Sequence, residues 1–447
     1  MSPPRLGYVA AVAALRSRGR FGISLGLERI DALLAELGHP ERSLHGALVA
    51  GTNGKGSVVA LTAAVLGEAG LRVGSMPKPH LVSYRERVVL DGEPLSERRF
   101  AAAMNAVLPA IDRVTARLGP PTEFEALTAA AFNELARAQV DVAIVEVGLG
   151  GRLDATNALD PGVAAITNVQ HDHEKHLGST LAAIGAEKAA IIKRGNLAVT
   201  GATGGGLGPI LARASDVSAP LRRAGAGQAY AAIVRHAGWD GLVVDAVTPK
   251  GPWPALHVGL LGSHQAANAA VALALLDALG EDAVRRGSPF HLTAEAVRAG
   301  FARARWPGRL ELVETARHGR VLLDGAHNPA GARALAAALS ELEMRDFPFV
   351  FGAMRGKRVS AMLRALAPLR PRPVFTAASG LGAHPPAELL NMWQRISAGG
   401  AAAETVEEAV LQASELRSAP EQPIVVAGSL YLVGAVRGML TGEVEPS

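Results

Sequence analysis

The sequence predicts an α/β chain: an N-terminal P-loop parallel-sheet ATPase domain with a small β-rich insertion, then a smaller C-terminal Rossmann-like α/β domain. Three observations predict it. Apolar runs alternate with helical patterns of about 10 to 15 residues through the N-terminal half, and again after Trp306-Pro307-Gly308. A glycine-rich loop, Gly51-Thr52-Asn53-Gly54-Lys55-Gly56-Ser57, follows the apolar run Ala47-Leu48-Val49-Ala50 and precedes an alanine-rich helical pattern from Val58. The length, 447 residues, exceeds one ordinary core.

Taken in order, 47–50 reads as a strand and the stretch from Val58 as a helix. A helix over 125–138 leads to a strand over 140–145, and a strand over 162–167 to a helix over 181–192 and a strand over 198–200. Such βαβ units place ligands at the carboxyl ends of their strands, where the 51–57 loop, Glu146 and Asn168 fall. Residues 201–229 are rich in Gly and Ala, and 231–236 and 242–247 alternate as an antiparallel hairpin around Gly238 and Gly241. Together they read as the β-rich insertion closing a first domain of residues 1–305.

The second domain, 306–447, reads as strands at 321–323, 347–351, 373–376 and 424–427, with helices from Pro329, over 359–366 and from Pro385. Pro307-Gly308 is either a hinge or a fixed turn.

Composition excludes several classes. With 49% hydrophobic but only 4% aromatic residues, cores must form from Leu, Val and Ala. A net charge of +4, from 45 basic and 41 acidic residues, makes no case for nucleic acid and suits small phosphate- and carboxylate-bearing substrates. No cysteine is present, which removes disulfides, thiol catalysis and Cys-ligated zinc. The start Met1-Ser2-Pro3-Pro4 lacks a basic signal-peptide region, and 256–279 is interrupted by His264, Gln265, Asn268 and Asp277. A soluble, cytoplasmic protein without membrane partners is expected.

The loop has the chemistry of a phosphate cradle for a nucleoside triphosphate. Thr52, Asn53, Gly54 and Gly56 let backbone N–H groups face an anion at a helix start, Lys55 offers a cation to the terminal phosphates, and the Ser57 hydroxyl can ligate Mg2+. Its spacing departs from G-x-x-x-x-G-K-[ST], since Gly56 separates Lys55 from Ser57. A plain strand-to-helix connection is the alternative. Glu146 ends an apolar run on a neighbouring strand, where a carboxylate can hold Mg2+. His171, His173 and His176 suggest a zinc cluster as one alternative and surface histidines as another. Lys188, in Glu187-Lys188-Ala189, reads locally as half of a solvated charge pair.

The GTNGKGS loop is similar to that of the Mur ligase superfamily, and further segments narrow the resemblance. Gly26-Leu27-Glu28-Arg29-Ile30, Pro79-His80-Leu81-Val82-Ser83-Tyr84-Arg85-Glu86-Arg87, Glu146 to Asn157 and Glu187-Lys188-Ala189 resemble folylpolyglutamate synthase/dihydrofolate synthase. His264-Gln265 with Asn268, Pro307-Gly308-Arg309, Asp324-Gly325-Ala326-His327-Asn328-Pro329 and Gly428-Ser429-Leu430-Tyr431 continue in the family's order. About nine such segments in one order are hard to obtain by chance.

The resemblance implies an ATP-dependent ligase that joins L-glutamate to dihydropteroate or a folate through an acyl phosphate. It implies two Mg2+ sites, with Ser57, Glu146, His173 and Lys188 as metal-side residues, and leaves room for a monovalent cation. It implies that Lys188 is carbamylated, which turns a cation that would repel Mg2+ into an anion that can orient or bind it. Asn268, Arg309 and Asp324 match distal ATP contacts, Arg309 and Asp324 reaching across from the second domain; His327 stands near enough in sequence to assist. Thr122-Glu123-Phe124-Glu125 and Gly151-Arg152-Leu153-Asp154 match substrate-holding segments: Phe124 offers a face for stacking and Asp154 an acceptor for amino groups, with Glu125 and Arg152 beside them. Local readings compete, a helix-capping segment for the first and a capped glycine turn for the second.

Two departures stand out. Pro77-Lys78 replaces a Thr-Ser whose serine ligates the first Mg2+ in the family, so either water replaces that serine or Lys78 contacts phosphate. Gly356-Lys357-Arg358 replaces Asp-Lys-Asp, which bears on glutamate recognition. Domain 1–305 is expected to bind ATP and folate, domain 306–447 to serve the glutamate ligation, and the chain to act as a monomer. A Mur-type ligase for a peptidoglycan or cyanophycin-like precursor and a non-catalytic nucleotide-binding regulator remain the alternatives. The 122–125 and 148–154 segments favour folate; Lys55, Glu146, His173 and Lys188 favour catalysis.

Overall fold

The computed structural model describes residues 6–19, 25–377, 382–443 and 445. Residues 1–4, where the sequence shows no signal-peptide pattern, lie outside them.

The first sheet comprises β1 (Gly46–Ala50), β2 (Val73–Met76), β3 (Val89–Leu90), β4 (Glu93–Pro94), β5 (Val142–Glu146), β6 (Gly162–Ile166), β7 (Leu197–Thr200) and β8 (Leu221–Arg223). Its order is β4-β3-β2-β5-β1-β6-β7-β8, with β3 antiparallel to both its neighbours β2 and β4 and every other pair parallel. Helices cover both faces, which is why β1 and β5 read as nearly continuous apolar runs. Leu48, Val145 and Ala164 pack beneath helices Glu97–Leu118 and Glu123–Arg137, while Val49, Ile144 and Val163 pack against Lys55–Glu68 and Gln265–Arg285. β1 lies between β5 and β6, so the loop after β1 opens at a reversal of strand order.

The insertion differs from expectation. Residues 207–216 form a helix and β8 joins the main sheet, so only the strands after Tyr230 stand apart. There β9 (Ala231–Gly238), β10 (Gly241–Thr248) and β11 (Gly251–Val258) make three antiparallel strands rather than one hairpin. Pro252 and Pro254 disguise β11; proline is tolerated because this is an edge strand.

The second sheet runs β12-β13-β17-β14-β15-β16, from β12 (Glu311–Thr315), β13 (Gly319–Leu323), β14 (Pro348–Phe351), β15 (Arg372–Phe375), β16 (Ala401–Ala402) and β17 (Ile424–Ala427). Only β12 is antiparallel. The Pro307-Gly308 segment is a hydrogen-bonded turn: Arg309 N–H donates to Trp306 O at 3.2 Å and Gly325 N–H to Gly308 O at 2.7 Å. The far end of the chain returns to the first domain, where Glu445 accepts from the Tyr8 hydroxyl at 2.8 Å and Tyr84 N–H at 2.9 Å. No helix among the described residues is long and apolar enough to cross a membrane.

Candidate active site

The helix after β1 starts at Lys55, three residues earlier than the sequence pattern indicates, because Gly54 caps it in the left-handed region at φ 80°. A side chain at Gly54 would also run into the Asn268 carboxamide, which is buried against the loop and donates to Gln265 Oε1 at 2.8 Å. The loop is laced to the residues after β6. Asn53 N–H donates to Asn168 Oδ1 at 3.0 Å, Thr167 Oγ1 to Asn53 O at 2.6 Å and Thr52 N–H to Asn168 O at 3.1 Å. The N–H groups of Thr52 and Asn53 are thereby occupied. Those of Lys55, Gly56 and Ser57, in the first helical turn, have no intrahelical partner and form the anion-seeking end.

A cavity of about 250 Å³ opens there, lined by Thr52, Asn53, Lys55, Glu146, His173, Lys188, Arg309 and His327 among others. Lys55 Nζ folds back to donate to Gly51 O at 3.0 Å and lies 3.9 Å from Glu146 Oε1. Burial pulls the lysine's pKa down and pushes the carboxyl's up; each opposes the other's shift. Lys188, on the last turn of helix Leu181–Ala189, is 4% exposed, and its ammonium has no hydrogen-bond or ion-pair partner among the described residues. Burial, aided by the Lys55 charge, lowers its pKa to about 7.

Several predicted residues serve the scaffold. Asp324 accepts N–H bonds from Leu310 at 3.0 Å and Ala326 at 2.9 Å, which fixes the segment carrying Arg309; burial raises its pKa. Glu125 closes a capping box with Thr122 and pairs with Arg29 at 3.0 Å. Asp154 accepts from Leu149 N–H at 2.8 Å, Thr156 N–H at 3.0 Å and Thr156 Oγ1 at 2.6 Å. Arg152 points to the surface and pairs with Glu187 at 2.9 Å, and Ser57 is buried behind the cavity wall. Phe124 has a covered face: Lys78 Nζ sits 3.0 Å from its ring centroid, so the lysine turns toward Phe124 rather than the phosphate loop. Burial lowers the Lys78 pKa to about 7.

Histidines divide in the same way. His171 pairs with Glu174 at 3.4 Å, whereas His173, left-handed at φ 51°, lines the cavity. No group of three or more metal-ligating side chains gathers among the described residues, so the zinc alternative has no geometry behind it. His327 Nδ1 donates to Gly325 O at 2.8 Å; burial lowers its pKa to about 4, so the ring is neutral and Nε2 carries a lone pair.

Asp172 is the residue the sequence reading missed. It bridges the domains, accepting from Asn328 Nδ2 at 3.1 Å and Lys357 Nζ at 3.5 Å, with His327 Nε2 at 3.9 Å. Burial would raise its pKa, but Lys357, His173 and His327 overcome that and hold it below the usual range. Its position at the carboxyl end of β6 was the available signal.

The C-terminal domain of dihydrofolate synthetase matches residues 309–439 and the Mur ligase middle domain residues 102–276. The dihydrofolate synthase/folylpolyglutamate synthase of Bacillus subtilis is 33% identical over 438 residues, 97% of this chain and 99% of that protein. The chain belongs to the folylpolyglutamate synthase/dihydrofolate synthase family. A Mycobacterium tuberculosis folylpolyglutamate synthase complexed with ADP superimposes with a TM-score of 0.87 at 33% identity, covering 97% of this chain and 99% of that one. The E. coli FolC complexed with DHPP and ADP gives 0.82 at 29% identity, over 97% and 98%. As a member of this folylpolyglutamate/dihydrofolate synthase family, the protein is an ATP-dependent ligase.

Proposed function

We propose that the enzyme joins the amine of L-glutamate to a carboxylate of dihydropteroate or a folate, with ATP as co-substrate. The observation that carries this reading is the shared cavity in which Lys55 and Glu146 of the first domain meet Arg309 and His327 of the second. An acceptor carboxylate oxygen bonds to the γ-phosphorus and ADP leaves; the glutamate amine then bonds to the acyl carbon, phosphate departs and the amine loses a proton. Lys55 and the open N–H groups of its helix hold the phosphates, Arg309 reaches the nucleotide from the second domain, and His327 Nε2 stands ready to accept the proton.

The donor set suits Mg2+. A buried carboxylate at Glu146, His173 and the unpartnered Lys188, which as a carbamate presents oxygens, are hard or borderline ligands lining the cavity, with phosphate and water completing the coordination. Bound Mg2+ would supply charge neutralisation at the transferring phosphoryl group. Residues 1–305 and 306–447 act as the nucleotide-and-folate unit and the glutamate-ligase unit of a cytoplasmic monomer, a division supported by the turn at Pro307-Gly308.

The test is product formation from ATP, Mg2+ and glutamate with dihydropteroate or tetrahydrofolate offered separately and a peptidoglycan precursor as control. Turnover of the control alone would overturn the reading. Asp324→Ala is expected to weaken ATP binding about tenfold, since it frees the segment bearing Arg309; calorimetric titration showing unchanged affinity would remove the second domain from the nucleotide site.

A further inference from the structure

Two cavities meet at Lys78, Pro79, Arg309 and Leu430, which line both. One is the phosphate cavity; the other, about 870 Å³, runs between the first domain and the C-terminal helix and has the volume of a small-molecule site. Lys78 is held firmly at their junction. Its N–H donates to Glu146 Oε2 at 3.0 Å, and the following loop is drawn together by Glu86, which accepts from Leu81, Val82 and Ser83 at 2.7, 2.9 and 2.7 Å. Its side chain passes Gly148 so closely that a Cβ there would strike the ammonium.

The ammonium nevertheless lacks a proper partner. It has three donors, makes no hydrogen bond among the described residues and rests on the Phe124 ring, Asp154 being the foremost charge that acts on it. Arg87 lines the same wall, and although its Nε donates to His80 Nδ1 at 2.8 Å, its buried Nη1 has no hydrogen-bond partner among the described residues. The nearby carboxylates of Asp154 and Glu146 act on the Lys78 charge but spend their oxygens on Leu149 N–H, Thr156 and Lys78 N–H, and a desolvated donor left unmatched is costly. A wall that collects Lys78, Arg87 and Arg309 beside a substrate-sized cavity is therefore built for an anion. The triphosphate is already served by Lys55 and the helix start, on the other side of Glu146.

We infer that Lys78 binds a carboxylate of the acceptor substrate and holds it at the mouth of the phosphate cavity, with the acceptor's body in the larger cavity. The ammonium leaves the face of Phe124 for the carboxylate oxygens. This rests on the ligase reading, because it takes the acceptor to be a carboxylic acid.

The experiment compares wild-type enzyme with Lys78→Met, which keeps the apolar stem over Phe124 and removes only the charge. Equilibrium dialysis without ATP measures binding of dihydropteroate or tetrahydrofolate and of the corresponding methyl ester. The expected result is a loss of about 10- to 100-fold for the acid in the variant, with little further loss for the ester and an unchanged KM for ATP. Lys78→Arg should restore part of the acid's affinity. Equal affinity of the acid for both proteins overturns the inference, and so does an equal loss for acid and ester, which would mark Lys78 as structural. If wild-type enzyme binds neither acceptor, the proposed function falls along with it; if it binds and ligates them, only the role of Lys78 is at stake.

Discussion

Lys55→Ala is expected to lower kcat by about 10³-fold while leaving the protein folded. The ammonium sits over the loop after β1, bonded among the described residues only to Gly51 O and Thr52 O and facing Glu146 at 3.9 Å. None of these contacts holds an element in place, since the loop is tied down independently through Asn53, Asn168 and Thr167. Removing it leaves Glu146 with only the weaker pull of Arg309 and Lys78, but that carboxyl's pKa is already raised by burial, so it can take up a proton rather than unfold its surroundings. What is lost is charge stabilisation of the transferring phosphoryl group, an interaction stronger in the transition state than in the ground state. Circular dichroism and a thermal melt should match wild type within a few degrees. A folded variant that turns over ATP within threefold of wild type would remove the loop from the chemistry.

Lys55 and Glu146 were legible for a physical reason. Each ends or follows a buried parallel strand, and such strands announce themselves as apolar runs whose carboxyl ends must face a ligand. Asp172 was legible only by its place after β6; its partners Asn328 and Lys357 lie 156 and 185 residues away, and nothing local foretells them. The helix Glu97–Leu118 went unread although Ser96 caps it, since Pro109 interrupts its interior pattern. Thr122 to Glu125 and Asp154 show the converse: both carried a functional expectation, yet the capping box and the aspartate-capped turn, also legible from residue spacing, are what the hydrogen bonds display. Lys78 needed the structure most, because whether it faces phosphate or Phe124 depends on how tightly Gly148 lets it pass.

Lys188→Ala is expected to cost about 10²-fold or more in kcat, and Lys188→Arg as much, because the proposed active form of this residue is an anion that neither side chain supplies. Its surroundings favour the free amine. It is 4% exposed, unpartnered among the described residues, and lowered to about 7 by burial and by Lys55, so near neutral pH much of it is the free base that CO2 requires. The linkage has a definite sign. The folded pKa lies below the ordinary lysine value, so between about 7 and that value the unfolded chain binds more protons and the unmodified enzyme gains stability as pH rises; below about 7 the buried ammonium persists in both states and the penalty is fully present. Carbamylation should follow the same direction, with activity rising with added bicarbonate above pH 7 and falling below it. Intact-protein mass spectrometry under CO2 should show the added mass on wild type but not on Lys188→Ala, and a short carboxylic acid in solution should restore part of the variant's activity by entering the space the carbamate leaves. A Lys188→Ala enzyme with full kcat at saturating ATP, Mg2+ and glutamate would show that the cavity needs no anion at this position, and that metal binding falls to Glu146 and His173 alone.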